Sequence, residues 1–239
     1  GKAEGTASEL LHYPVTQPCR SSLDTPYELT PSLSTDRLLT PQWEQLASKM
    51  RHLVKVAYFD TEQGSQPPAL LGEIRGTPTI RAFVPERKSA KNAKRALEYN
   101  EAREAKSLIR FAVSNMPNYV ELLTGYDELA AFQAKAAEWG LPQVLVFSKA
   151  ALTSSTLKAL SVEFRRRVLI GELKASKANG KAAQRFGVTA FPAVVALPKD
   201  GGEPIRFSKE PTYNRLSTFL SKVALRKPVH KKPTKKEEL

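Results

Sequence analysis

This chain is short of the residues on which most protein chemistry depends. It has one cysteine, Cys19, in 239 residues. One thiol cannot close an internal disulfide, and it cannot run a two-thiol redox cycle, because a mixed disulfide needs a second thiolate to resolve it. There are three histidines, His12, His52 and His230. They lie far apart with no ligand spacing around them, so no metal site is expected. No apolar run approaches the ~20 residues of a membrane span. The chain opens at Gly1 without an initiator Met or a signal-peptide pattern, so any such segment was removed or lies outside this sequence. Acidic residues are also in deficit: 37 Lys and Arg against 24 Asp and Glu give a formal charge of +13. Such an excess favours an acidic protein, nucleic acid or an anionic surface as neighbour, or it simply lies in solvated segments.

What is present is periodic. Residues 1–30 carry Pro14, Pro18 and Pro26 and form an irregular N-terminal segment. Trp43, Leu46, Ala47 and Met50 stand at helical spacing. Either Thr40 caps that helix with Pro41 in its first turn, or the helix starts near Ser34 and Pro41 kinks it. "LVKVAYFD" (53–60) reads as a strand, "QPPALLGEI" as a short helix, and "GTPTIRAFV" (76–84) as a strand with Pro78 near its start, where a cis bond or a bulge is expected. Arg87, Lys88, Lys91, Lys94 and Arg95 make a basic connector, read as a solvated turn, before an edge strand. "EAREAKSLIRFAVSN" is a helix. From Tyr119 the order repeats: a strand, a helix ended by Gly140, the continuously apolar strand "PQVLVFS" expected to be buried on both faces, a Ser/Thr-capped helix, the strand "VLIGELKAS", a short helix, a hairpin turning at Lys199–Gly202 and a closing helix. "GEIRGTPTIRAF" and "QRFGVTAFPAVVAL" answer one another, which points to duplication of a domain-sized unit.

At these residues the chain resembles the protein disulfide isomerase family. "RGTPTI" and "TAFPAV" look like the cis-proline loop of the thioredoxin fold, with Pro78 and Pro192 as the prolines. "RLLTPQWEQLA" resembles the helix that follows the active-site cysteines, and "EYNEAREAKSLIRF" the segment that closes a catalytic domain, with Arg103 as its arginine. "VLVFSKAALTSSTLKALSVEFRRRVLIGEL" is similar to a non-catalytic domain. The resemblance implies an α/β chain of two tandem thioredoxin-like domains, each a central mixed β-sheet flanked by helices: a degenerate catalytic-type domain at 31–116, a non-catalytic domain at 117–225, and a basic flexible tail at 226–239. The first domain is expected to be incomplete at its N-terminal side, because "SSLDTPYELTPS" stands where the central strand belongs and carries two prolines. Divergence, completion by a partner or a misjoined gene would each produce this.

The family's two cysteines fall on Leu33 and Asp36, and neither side chain can exchange sulfur. The resemblance therefore implies a redox-inactive endoplasmic reticulum relative involved in protein folding. It would act as a chaperone for unfolded or partly folded clients, or as a scaffold for other lumenal folding enzymes. Phe191 and Pro192 are the expected client surface. No cofactor is expected. Lys236, Glu237, Glu238 and Leu239 resemble a receptor-read retention signal, which would place the chain in the lumen. Cys19 is an incidental thiol or the anchor of a mixed disulfide. Two alternatives stand: an active isomerase whose Cys-x-x-Cys segment is missing from this sequence, and a basic structural subunit binding an acidic partner or nucleic acid. Nucleic acid is the less expected partner, because no recognised module accompanies the charge.

Overall fold

The computed structural model describes residues 34–58, 69–85 and 94–230. It divides into two compact units, one ending at Asn115 and one beginning at Met116.

Unit 1 opens with helix α1, Ser34–Lys49, which contains Pro41. Of the two starts compatible with the sequence, the earlier one is observed. Leu46 and Met50 are buried from its apolar face, with Trp43 and Ala47 half-buried. A 3₁₀ turn at Ala69–Leu71 stands in place of the expected short helix. Strands β1 (Arg81–Pro85) and β2 (Lys94–Glu98) pair antiparallel, with Phe83 opposite Ala96. Helix α2, Ala105–Ser114, follows. Its first amide is satisfied from α1: Ala105 donates its N–H to Gln42 Oε1 at 2.8 Å.

Two expectations need correction here. The strand at 53–60 does not form among the described residues: Lys55–Tyr58 lies in no ladder, and no described strand runs beside it. Alternation of apolar and polar residues suits a strand, but only pairing makes one. The strand anticipated from Gly76 begins at Arg81, beyond Pro78, which has no N–H to give to a ladder.

Unit 2 contains five strands: β3 (Glu121–Leu123), β4 (Gln143–Ser148), β5 (Leu169–Lys174), β6 (Ala193–Leu197) and β7 (Ile205–Phe207). Their order is β3-β5-β4-β6-β7. The first three are mutually parallel, and β6 and β7 run antiparallel. Helices α3 (Gly125–Trp139), α4 (Ser155–Glu163), α5 (Gly180–Arg185) and α6 (Tyr213–Val223) complete the unit. Both sheet faces are covered, as the apolar run of β4 requires. On one face Leu145, Phe147 and Leu173 meet Leu129 and Phe132 of α3 and Ala182 of α5. On the other, Val144 and Ile170 meet Leu157 and Leu160 of α4 and Leu216 and Leu220 of α6. A mixed sheet in this order between two helical layers is the thioredoxin arrangement expected from the sequence.

Gly140 ends α3 in the left-handed region, at φ 60°, and donates its N–H to Ala137 O at 3.0 Å. An L side chain is disfavoured there, so Gly140→Ala is expected to lower stability by about 1 kcal/mol, read as a shift in urea midpoint with unchanged slope. The tail does not leave the unit at Arg226 as anticipated. Leu225 donates to Arg167 O at 2.9 Å and Val229 to Arg166 O at 2.8 Å. Backbone hydrogen bonds therefore hold the segment through Val229.

Candidate functional site

Antiparallel pairing places Ala193, the first residue of β6, opposite Phe147 near the end of β4. The loop carrying Phe191 and Pro192 therefore lies at the carboxyl end of the parallel strands, where the β4–α4 loop also begins. The Phe191–Pro192 bond is cis. Phe191 is half-buried, its ring edge-on to Phe147 at 6.5 Å between centroids, so only part of it is open to a partner. Pro192 is exposed.

The β4–α4 loop holds the segment that resembles the family's active-site helix start. Ser154 caps α4, its Oγ accepting from Leu157 N at 3.2 Å. Cysteine is absent from the stretch. Leu152 projects from the loop with 83% of its surface exposed. Tyr126, also exposed, sits at the start of α3 at the same end of the sheet, its hydroxyl accepting from Arg185 Nη1 at 2.9 Å.

Beneath the loop lies a carboxylate that sequence reasoning passed over. Glu172 of β5 is 2% exposed. Ser148 Oγ donates to it at 2.7 Å, Thr153 Oγ1 at 2.6 Å and Lys174 Nζ at 2.6 Å. Burial alone would raise its pKa, but the hydrogen bonds from Lys174, Thr153 and Ser148 prevail and hold the carboxyl below the usual glutamate range. Glu172 is thus a charged acceptor at neutral pH and has no proton to give. Its signal in the sequence is an acidic residue in the middle of the apolar run "VLIGELK". Asn179, also buried, fastens the same end: its Nδ2 donates to Leu123 O at 3.2 Å and Lys174 O at 2.9 Å, and its Oδ1 accepts from Gly125 N at 2.7 Å.

In unit 1, Thr77–Pro78 is cis. Arg103 Nη2 donates to Pro78 O at 3.3 Å, so the structure brings these two sequence-matched residues together. Tyr99 stands behind them, buried, its hydroxyl donating to Ala102 O at 2.5 Å and its ring 4.9 Å from Phe111. Desolvation pushes its phenol pKa up, helped by nearby Glu101. Asp36 lies in the first turn of α1. Leu33, Cys19 and Lys236–Leu239 fall outside the described residues, as does most of the basic connector.

Among the described residues no three His, Cys, Asp or Glu side chains gather as metal ligands, and no helix is long and apolar enough to cross a membrane. The arrangement at the carboxyl end of unit 2 offers hydroxyls without a neighbouring imidazole base, an ionised carboxylate already shared among three donors, and exposed apolar side chains.

No family model matches the chain. It is 25% identical over 186 residues to a putative protein disulfide-isomerase of Dictyostelium discoideum, covering 76% of this chain and 43% of that protein. It is 24% identical over 224 residues to protein disulfide-isomerase like 2-2 of Arabidopsis thaliana, covering 76% and 45%. In the crystal structure of full-length ERdj5 it matches at 18% identity and a TM-score of 0.47, over 80% of this chain and 28% of that one. The chain spans less than half the length of the two curated relatives. Unit 2 has the thioredoxin arrangement, and the sequence is similar to protein disulfide isomerases while holding one cysteine and hence no Cys-x-x-Cys pair.

Proposed function

We propose that this chain is a folding factor of the endoplasmic reticulum lumen that works without thiol chemistry of its own, holding unfolded or partly folded clients and assembling with active folding enzymes. The observation that carries the reading is the state of the β4–α4 loop: a capping serine and an open Leu152 occupy the face where the family's active members present sulfur. Its relatives are protein disulfide isomerases. The closing Lys236-Glu237-Glu238-Leu239 fits a lumenal address read by a retention receptor. Clients would be held by burial of apolar side chains against Leu152 and the Phe191–Pro192 loop, an area modest enough for release.

The purified chain is expected to slow aggregation of a reduced, denatured model client. Leu152→Asp should weaken that effect roughly threefold while leaving circular dichroism unchanged, since the side chain supports no core contact. Wild-type protein without effect on aggregation would refute client binding. Thiol-oxidase turnover that survives Cys19→Ser would refute redox inactivity.

A second reading rests on unit 1. Pro78, Arg103 and α1 are catalytic-type features, and the matched relatives extend well beyond this chain. An active isomerase whose Cys-x-x-Cys segment is missing here would show that pair in the transcript between the codons for Arg20 and Leu39.

A further inference from the structure

At the opposite end of the unit 2 sheet, where the parallel strands begin, a pocket of about 230 Å³ opens between the last turn of α3, the end of α4 and the start of β5. It is separated from the Phe191–Pro192 loop by the length of β4, six residues or about 20 Å. Its floor is aliphatic, with Leu141 and Ile170, and Trp139 and Tyr119 form its walls. The volume suits one inserted side chain rather than a drug-sized ligand, for which 300 Å³ is about the lower bound.

Arg165 and Arg166 stand on the rim, and both are held in place. The Arg165 guanidinium lies over the Tyr119 ring, 4.2 Å from its centroid. Arg166 has a left-handed backbone, φ 60°, and its Nη1 is 3.3 Å from His230 Nδ1. Among the described residues neither arginine has a carboxylate within ion-pairing distance. Glu121 also lines the pocket but is paired there with Lys135, and Glu163 is engaged by Tyr213 at 2.8 Å and Ser217 at 3.1 Å. Two pre-oriented guanidinium groups without acidic partners among the described residues, above an apolar floor, match a ligand that carries carboxylates on either side of an apolar side chain.

We propose that this pocket binds an acidic peptide segment of a partner protein, taking one aliphatic or aromatic side chain into its floor while flanking Asp or Glu carboxylates engage Arg165 and Arg166. The pairing is favoured over nucleic acid by the enclosed aliphatic floor and by the Tyr119 face, which is already covered by Arg165 and so closed to a stacking base. The site goes beyond the proposed client surface and does not depend on it, because it shares no residue with the Leu152 face.

The sequence has two tryptophans, Trp43 and Trp139, so full-length protein carrying Trp43→Phe reports from the pocket through Trp139 emission. Titration with a blocked Glu-Glu-Leu-Glu-Glu peptide is expected to give a saturable change. The same peptide with Ser for Leu should give little. Arg165→Gln with Arg166→Gln should weaken binding at least tenfold without altering circular dichroism, and raised salt should weaken the parent complex. Calorimetry on the unsubstituted chain checks that Trp43→Phe is innocent. An unchanged Trp139 signal together with silent calorimetry, equal binding of the Ser peptide, undiminished binding by the double variant, or saturable binding of single-stranded oligouridylate in place of the peptide would each overturn the proposal.

Discussion

Replacing Glu172 with alanine is expected to destabilise unit 2 by about 3 kcal/mol, the lower end of the range for breaking a buried ion pair. The lower end applies because Lys174 keeps 23% of its side chain in solvent and can recover some hydration. Removal of the carboxylate leaves three donors, from Ser148, Thr153 and Lys174, aimed at a void. Glu172→Gln preserves shape and can still accept from a hydroxyl but leaves the ammonium uncompensated, so it should cost about half as much. The two variants separate packing from charge. The pH dependence follows from the lowered pKa. A carboxyl that ionises more readily folded than unfolded adds stability above its ordinary value of 4.5, and loses it as pH falls through the lower folded value. Wild-type urea midpoints should therefore drop below about pH 4.5 by more than those of Glu172→Gln. Because Thr153 is the loop residue bound to Glu172, amide exchange over Lys149–Ser154 should accelerate in the alanine variant. Equal stability of all three proteins would show that the cluster is ornamental to the fold.

Where the sequence spoke clearly, local chemistry and tertiary packing agreed. The unbroken apolar run "PQVLVFS" could only be stable between two helical layers, and β4 lies there. Gly140 stops α3 because the backbone needs φ near 60° at that point. Pro192 directly precedes β6, and Pro78 lies shortly before β1. The failures have the opposite cause. "LVKVAYFD" alternates as a strand should, yet strand formation is decided by a partner that alternation cannot supply. Glu172 stood in plain view in "VLIGELK", but its meaning rests on Ser148 and Thr153, 24 and 19 positions away. Leu152 was one apolar residue among several in "KAALTSS", and only the path of the loop leaves it in solvent. The Arg165–Tyr119 stack joins the end of α4 to the approach to β3, a contact that no local pattern encodes.

Phe147→Ala is expected to carry the largest cost in unit 2, about 3–5 kcal/mol. The ring is fully buried, on the strand at the centre of the sheet, paired with Leu173 on one side and Ala193 on the other. It lies 6.3 Å from Phe186 and 6.5 Å from Phe191, centroid to centroid. Its loss removes transfer free energy and leaves a cavity that β4, pinned by two neighbours, cannot collapse to fill. Phe191→Ala should cost only about 1–2 kcal/mol, since that side chain is only partly buried. The two are in contact, so their effects should not add: a coupling of about 0.5–1.5 kcal/mol is expected from a double-mutant cycle in urea. That coupling bears on function. If Phe147 is the support that fixes the Phe191–Pro192 loop, then Phe147→Leu, which refills most of the space, should restore stability but only part of the client holding that Phe147→Ala loses, because an aliphatic side chain cannot give the Phe191 ring its edge-on partner. A stabilised Phe147→Leu protein with fully restored holding would mean that the core supports the sheet alone and that the loop finds its geometry without it.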